Sequence, residues 1–256
     1  MLAAVGRFRR IAGFLDEQLT SRAFVVPGPT QNLIGRLAIA AVRQAEAMAA
    51  LFRAGPFYAT QIGQLLRGLL EMWRVAAWLT APDVSLARNQ RAIGLWKKAL
   101  REERATMALQ QALAGMEPPL EKLAELDRQE ELVASAEQEL LEGARPREPG
   151  SGRDDYRDLG HPERYIVFRR ESEVAHVGAI ALGQMVQQQD DLQVCLGGQS
   201  PVADRARKLV IAWDAMADIA EIVVKELSLD SLAWQALRER TYAEFSLILG
   251  PLVVPG

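Results

Sequence analysis

The chain is poor in the residues from which most metal and nucleophilic centres are made. Its 256 residues include one cysteine, Cys195, and two histidines, His161 and His176. One thiol forms no internal disulfide and no cysteine-based metal site, and a zinc centre would have to recruit carboxylates from distant segments. That usage fits a reducing compartment. Aromatic residues make up 6% and β-branched runs are rare, which argues against a sandwich or barrel. No uninterrupted apolar run is long enough to span a bilayer: "VAHVGAIALGQMV" is broken by histidine, glycine and glutamine. The first residues, "MLAAVGRFRRIAGFLDEQL", place arginines inside an amphipathic pattern and lack the apolar centre of a secretory signal. The expectation is a soluble, cytoplasmic protein with no membrane partner. There is also no G-x-S-x-G elbow and no pair of E-x-x-H motifs of the di-iron kind, Glu173 and His176 having no second copy, and "CLGGQSP" lacks the strand, spacing and lysine of a phosphate loop. No cofactor and no metal are expected.

What is abundant is alanine, leucine and arginine. Apolar residues at 49% suffice for a real core, and small helix-favouring side chains point to an all-α bundle of about seven or eight helices. A net charge of −3 offers no global attraction to polyanions. The periodicity predicts helices over 4–19, about 30–54 with Thr30 or Asn32 as cap, 57–80, 84–113, 119–142, 164–189, 201–226 and 230–247. The segment "EGARPREPGSGRDDYRDLGHPER" reads as a mobile loop. We read residues 1–256 as a single all-helical domain in which 117–163, an acidic helix followed by that loop, is an insertion.

The stretch "FRRESEVAH", 168–176, carries the chemistry that spacing alone suggests. On a helix, Arg169, Ser172 and His176 share one side over two turns, while Arg170 points away. A guanidinium near an imidazole favours the unprotonated, base-competent ring. The competing reading is a surface ion pair between Arg169 and Glu173 beside a packed histidine. A second polar strip, Arg67, Glu71, Arg74 and Trp78, lies in 57–80. It is either an intrahelical charge ladder or the source of a carboxylate, Glu71, that reaches across to orient His176 or clamp Arg169. "HPER", 161–164, reads as a loop and helix start.

The pairing of "RGLLEMWRVAAWL" with "FRRESEVAH" resembles an all-helical family of bacterial proteins carrying an R-x-x-x-E helix and an aromatic-R-x-x-S-x-x-x-H helix. The matching positions are Arg67 and Glu71, then Phe168, Arg169, Ser172 and His176, with phenylalanine where tyrosine is often found. The likeness covers roughly 30–190. That family is distantly similar to HEPN domains, four-helix bundles with an R-x(4–6)-H motif, which Arg169 or Arg170 with His176 satisfies. The residue after the motif arginine is usually Asn, Asp or His in active members, and here it is Arg170 or Glu171. The resemblance implies a HEPN-like four-helix core, a homodimer and a metal-independent endoribonuclease of toxin or anti-phage type acting on RNA. In such an enzyme His176 would exchange a proton with the 2′-OH or leaving oxygen, Arg169 would stabilise phosphate charge, and Ser172 would orient the phosphate, with Arg67, Glu71 and Arg170 in support. The alternative is a non-enzymatic helical module that binds a partner protein or small ligand, its polar strips serving as internal ion pairs.

Overall fold

The computed structural model describes residues 2–20, 28–54, 59–115, 117–150, 152–175 and 201–253. Among these the chain is all-α: α1 Leu2–Thr20, α2 Pro29–Ala54, α3 Ala59–Thr80, α4 Ser85–Ala114, α5 Leu120–Leu140, α6 Gly152–Asp158, α7 Pro162–Ala175, α8 Pro201–Glu226 and α9 Ser231–Val253. The anticipated helical bundle is therefore the architecture. Cys195 and the second half of the helix expected over 164–189, including His176, lie outside the described residues.

Helix ends follow from local chemistry. α2 begins at Pro29, whose missing N–H costs nothing in a first turn; Thr30, expected as a cap, lies inside that turn and is buried. Gly115, at φ 61°, terminates α4 in the left-handed conformation that glycine adopts without strain, its N–H bonding to the Gln111 carbonyl. Asp230 caps α9, accepting the Ala233 N–H at 2.9 Å.

One apolar cluster joins α1, α2, α3, α8 and α9. Ala4, Val5, Phe8, Ile11, Ala12 and Leu15 give α1 a continuous buried stripe, and Ala38, Ala41, Ala45 and Ala49 let α2 approach its neighbours closely. A separate cluster belongs to the antiparallel pair α4–α5. Ile93, Leu100 and Met107 recur every seventh residue and meet Leu126, Val133 and Leu141, a coiled-coil seam flanked by the ion pairs Lys97–Glu137 and Arg104–Glu130. α4 enters the main core through Ala92 near its start, so α4 and α5 extend from the bundle as a hairpin arm.

The segment after the arm corrects the expectation of a mobile loop. Arg147 donates its N–H to the Gln90 carbonyl at 2.9 Å, and the Gln90 side-chain amide donates to the Arg145 carbonyl at 3.0 Å. The backbone at Arg147 runs so close to Gly94 that no side-chain carbon would fit there. The strap leads into α6, whose Tyr156 is fully buried and donates to the Leu70 carbonyl of α3 at 3.1 Å. The composition reads as loop because Gly, Pro and charged residues are plentiful. Backbone hydrogen bonds to α4 and one buried tyrosine give it a fixed course.

Candidate functional site

Three clusters of charged side chains lie where α3, α6, α7 and α8 meet. In the first, Arg74 of α3 is buried and holds Asp155 of α6 as well as Glu71 of its own helix, the latter through Nε at 3.0 Å. Burial by itself would lower the Arg74 pKa, but the Glu71 hydrogen bond and the charges of Glu71 and Asp155 outweigh it and raise the pKa. In the second, Arg164 of α7 is buried, with its guanidinium 4.2 Å from the centre of the Trp73 ring. Its Nη2 serves both Asp214 and Asp218 of α8, the latter at 2.7 Å. In the third, Lys208 of α8 lies 3.3 Å from Glu171 of α7 and 3.4 Å from Asp204, all three buried. Gly63 of α3 leaves the space that the Glu171 carboxylate fills. These are paired buried charges, as a core requires.

The same contacts fix the direction of the helices. Gly63 lies opposite Lys208, Trp73 is joined through Arg164 to Asp218, and Arg88, just past the end of α3, donates to Glu226 at 2.8 Å. α3 and α8 therefore run parallel. Between their C-terminal halves is a cleft of about 410 Å³, bordered by α3, α8, α9 and the start of α7, a volume within the range of small-ligand pockets. Its floor is apolar: Trp73, Ala77, Leu159 and Ile222. The polar groups around it are His161, Asp218, Glu221, Lys225, Glu226 and Arg238. Glu221 is paired with Arg238, and Glu226 with Arg88. His161 stands edge-on to Trp73 at 5.1 Å, and its Nδ1 faces Glu163 Oε1 at 3.1 Å. A carboxylate on Nδ1 selects the Nδ1–H tautomer and leaves Nε2 as an acceptor. Burial pushes the Asp218 carboxyl above its ordinary range, with Arg164 offsetting part of that rise.

The residues singled out in the sequence divide unevenly. The two motif helices do pack together: Arg67 of α3 lies over the Phe168 ring of α7 at 5.3 Å. Arg169 is exposed. The Ser172 hydroxyl donates to the Phe168 carbonyl one turn earlier at 2.8 Å, the bond a serine inside a helix commonly makes. Glu71 receives Arg74, the ladder reading of that strip. The Arg170 side chain and the whole of His176, and with it the Arg169–His176 pair, lie outside the described residues.

Sequence reasoning passed over Asp155, Tyr156, His161 and Arg164, all in the stretch read as loop and helix start. The available signal was Pro162 one residue after His161, which marks a helix N-terminus and puts Arg164 in its first turn. Among the described residues no group of three or more His, Cys, Asp or Glu is placed to hold a metal ion, and no helix is long and apolar enough to cross a membrane. No protein-family model, no curated protein and no solved structure matches the chain.

Proposed function

We propose that this protein is a helical binding module whose small-molecule ligand occupies the cleft between α3 and α8. The observation that carries the reading is the cleft's construction, an apolar floor bordered by a few convergent polar groups, the usual design of a ligand site. The ion-pair clusters support it, because Arg74–Asp155, Arg164–Asp218 and Lys208–Glu171 tie α3, α6, α7 and α8 to one another, Arg164–Asp218 at the cleft itself. The test is a panel of neutral, cationic, anionic and zwitterionic small molecules, followed by NMR shifts of the Trp73 indole and the His161 ring. The expected outcome is saturable shifts in the native chain that Ala77→Leu, which fills the floor, abolishes. Shifts that persist in Ala77→Leu, or none in either protein, would remove the reading.

A second reading is a HEPN-like, metal-independent endoribonuclease centred on Arg169 and His176, acting as a homodimer. The specific observation in its favour is that the two motif helices pack together, Arg67 of α3 lying over the ring of Phe168, the residue next to Arg169 on α7. His176 would move the 2′-OH proton and Arg169 would stabilise the charge developing on phosphorus, yielding a cyclic phosphate end. Incubation with assorted RNAs in chelator should then give cleavage that His176→Ala and Arg169→Ala each reduce at least a hundredfold, on the order of a lost general base. Undiminished cleavage in the variants, or none in any protein, eliminates it.

A further inference from the structure

The groups around the cleft are sorted by charge along its length. Asp218, Ile222 and Lys225 follow one another at four and three positions on α8, so they form a single stripe, with the acid at one end, the base at the other and an apolar residue between. Trp73, Ala77 and Thr80 form a stripe of the same spacing on the parallel helix α3. At the Trp73 end two carboxylates, Asp214 and Asp218, share the single guanidinium of Arg164, which leaves one negative charge unbalanced. His161 lines the cleft at this same end with its Nδ1 facing Glu163, an arrangement in which the neutral ring has Nε2 as its acceptor. At the Thr80 end Lys225 is exposed and makes no ion pair among the described residues, while the neighbouring Glu226 is already neutralised by Arg88.

We propose that the ligand is a bipolar small molecule of about dipeptide length, with its ammonium at Asp218 and His161, its carboxylate at Lys225, and its apolar middle over Trp73, Ala77 and Ile222. This rests on the cleft being the ligand site. Two helical turns separate Asp218 from Lys225 by about 10.5 Å along the axis, and a hydrogen bond of about 2.8 Å at each end leaves about 5 Å between the ligand's charged groups. An α-amino acid reaches both only where the Lys225 side chain folds back along the helix toward Asp218. A dipeptide, at about 3.3–3.6 Å per residue, spans the gap. The flanking Glu221–Arg238 pair is self-satisfied and adds no net charge. A purely anionic ligand would meet the unbalanced carboxylate at one end, and a purely cationic one would meet Lys225 at the other, so each is disfavoured by like charge.

The experiment is an NMR titration of the full chain with alanyl-leucine, N-acetyl-alanyl-leucine and alanyl-leucine amide. The free dipeptide is expected to shift cleft resonances, with each capped form at least about tenfold weaker, the loss of one charge-assisted contact. Lys225→Ala should erase the preference over the amide alone, and Asp218→Asn the preference over the acetylated form alone. Lys225 is exposed and Asp214 keeps Arg164 paired in Asp218→Asn, so both variants should retain the fold. Capped and free dipeptides binding equally would overturn the proposal. So would a cleft that responds to neutral or singly charged compounds of the panel but not to the free dipeptide, an outcome that leaves the binding-module reading standing. A cleft that responds to nothing removes both.

Discussion

At the scale of single residues, the charges that spacing made conspicuous were mostly used by the fold. Glu71, Arg74 and Glu171 lie on buried or half-buried helix faces, and a buried charge without a partner is far more costly than one with a partner. A consequence is that the smallest side chain nearby carries much of the constraint. Gly63→Ala would drive a methyl group into the Glu171 carboxylate, which cannot move without leaving Lys208. We expect a loss of about 1–3 kcal/mol in urea unfolding, the usual cost of overpacking. An unchanged midpoint would mean that the carboxylate has room to move. Tyr156 supplies a second test. Its phenol is fully buried, bonded to the Leu70 carbonyl, and raised above the ordinary tyrosine range chiefly by burial. Once pH passes the unfolded value of about 10, the unfolded chain releases a proton that the fold retains, so stability falls as pH rises. Tyr156→Phe should be less stable at neutral pH by about 1 kcal/mol, for the lost hydrogen bond, yet show a shallower alkaline decline. Parallel declines in the two proteins would rule out Tyr156 as the cause.

At the scale of elements, the most legible features were the long helices with strong apolar stripes, α1, α2, α3 and α8, and the least legible was the stretch from 142 to 163. Its Gly, Pro and mixed charges are the signs of a loop, and nothing in its own pattern says that its backbone will bond to Gln90 or that Tyr156 will fill a hole beneath Leu70. The expected acidic helix is present as α5, which pairs with α4 in a hairpin arm, though that seam is only half visible in the sequence. Leu126 is buried, whereas Leu120 and Leu132, which looked equivalent by hydrophobicity, are exposed because they fall off the heptad shared with α4. Val133→Asp should therefore raise amide exchange in α5 and the distal half of α4 while leaving α1–α3 and α8 protected. Uniform loss of protection would show that arm and bundle unfold as one unit. Gly94→Ala should release the strap and speed exchange at the Arg147 amide, since the added carbon would collide with backbone that has no alternative rotamer.

At the scale of the whole molecule, the candidate site arises from the parallel association of α3 and α8, two helices far apart in the chain. No local window contains both stripes of the cleft, Trp73–Ala77–Thr80 and Asp218–Ile222–Lys225. Arg169 and His176 stand out in the sequence because they are neighbours along the chain, and spacing can only rank residues that share a helix. The grouping of His161 with Asp218 required α7 to start where Pro162 allows and then to lie against α8 through Arg164. Whichever functional reading survives its test, Arg164 is a structural requirement of this face. Arg164→Leu is expected to leave Asp214 and Asp218 repelling each other beside Trp73, lowering the melting temperature at pH 7 more than at pH 4, where protonation relieves the repulsion.

What the amino-acid order determined by itself was the class of the fold: alanine- and leucine-rich stripes at helical spacing, stopped by Gly115 and started by Pro29 and Pro162, are local properties and give helices wherever they occur. Which charges became internal struts and which were left around a cleft was decided only when the helices packed. Burial is a property of neighbours in space: Lys225 and Lys208 stand on the same helix seventeen positions apart, and the α7 that covers Lys208 and brings Glu171 to it separates a paired core charge from one left open at the surface.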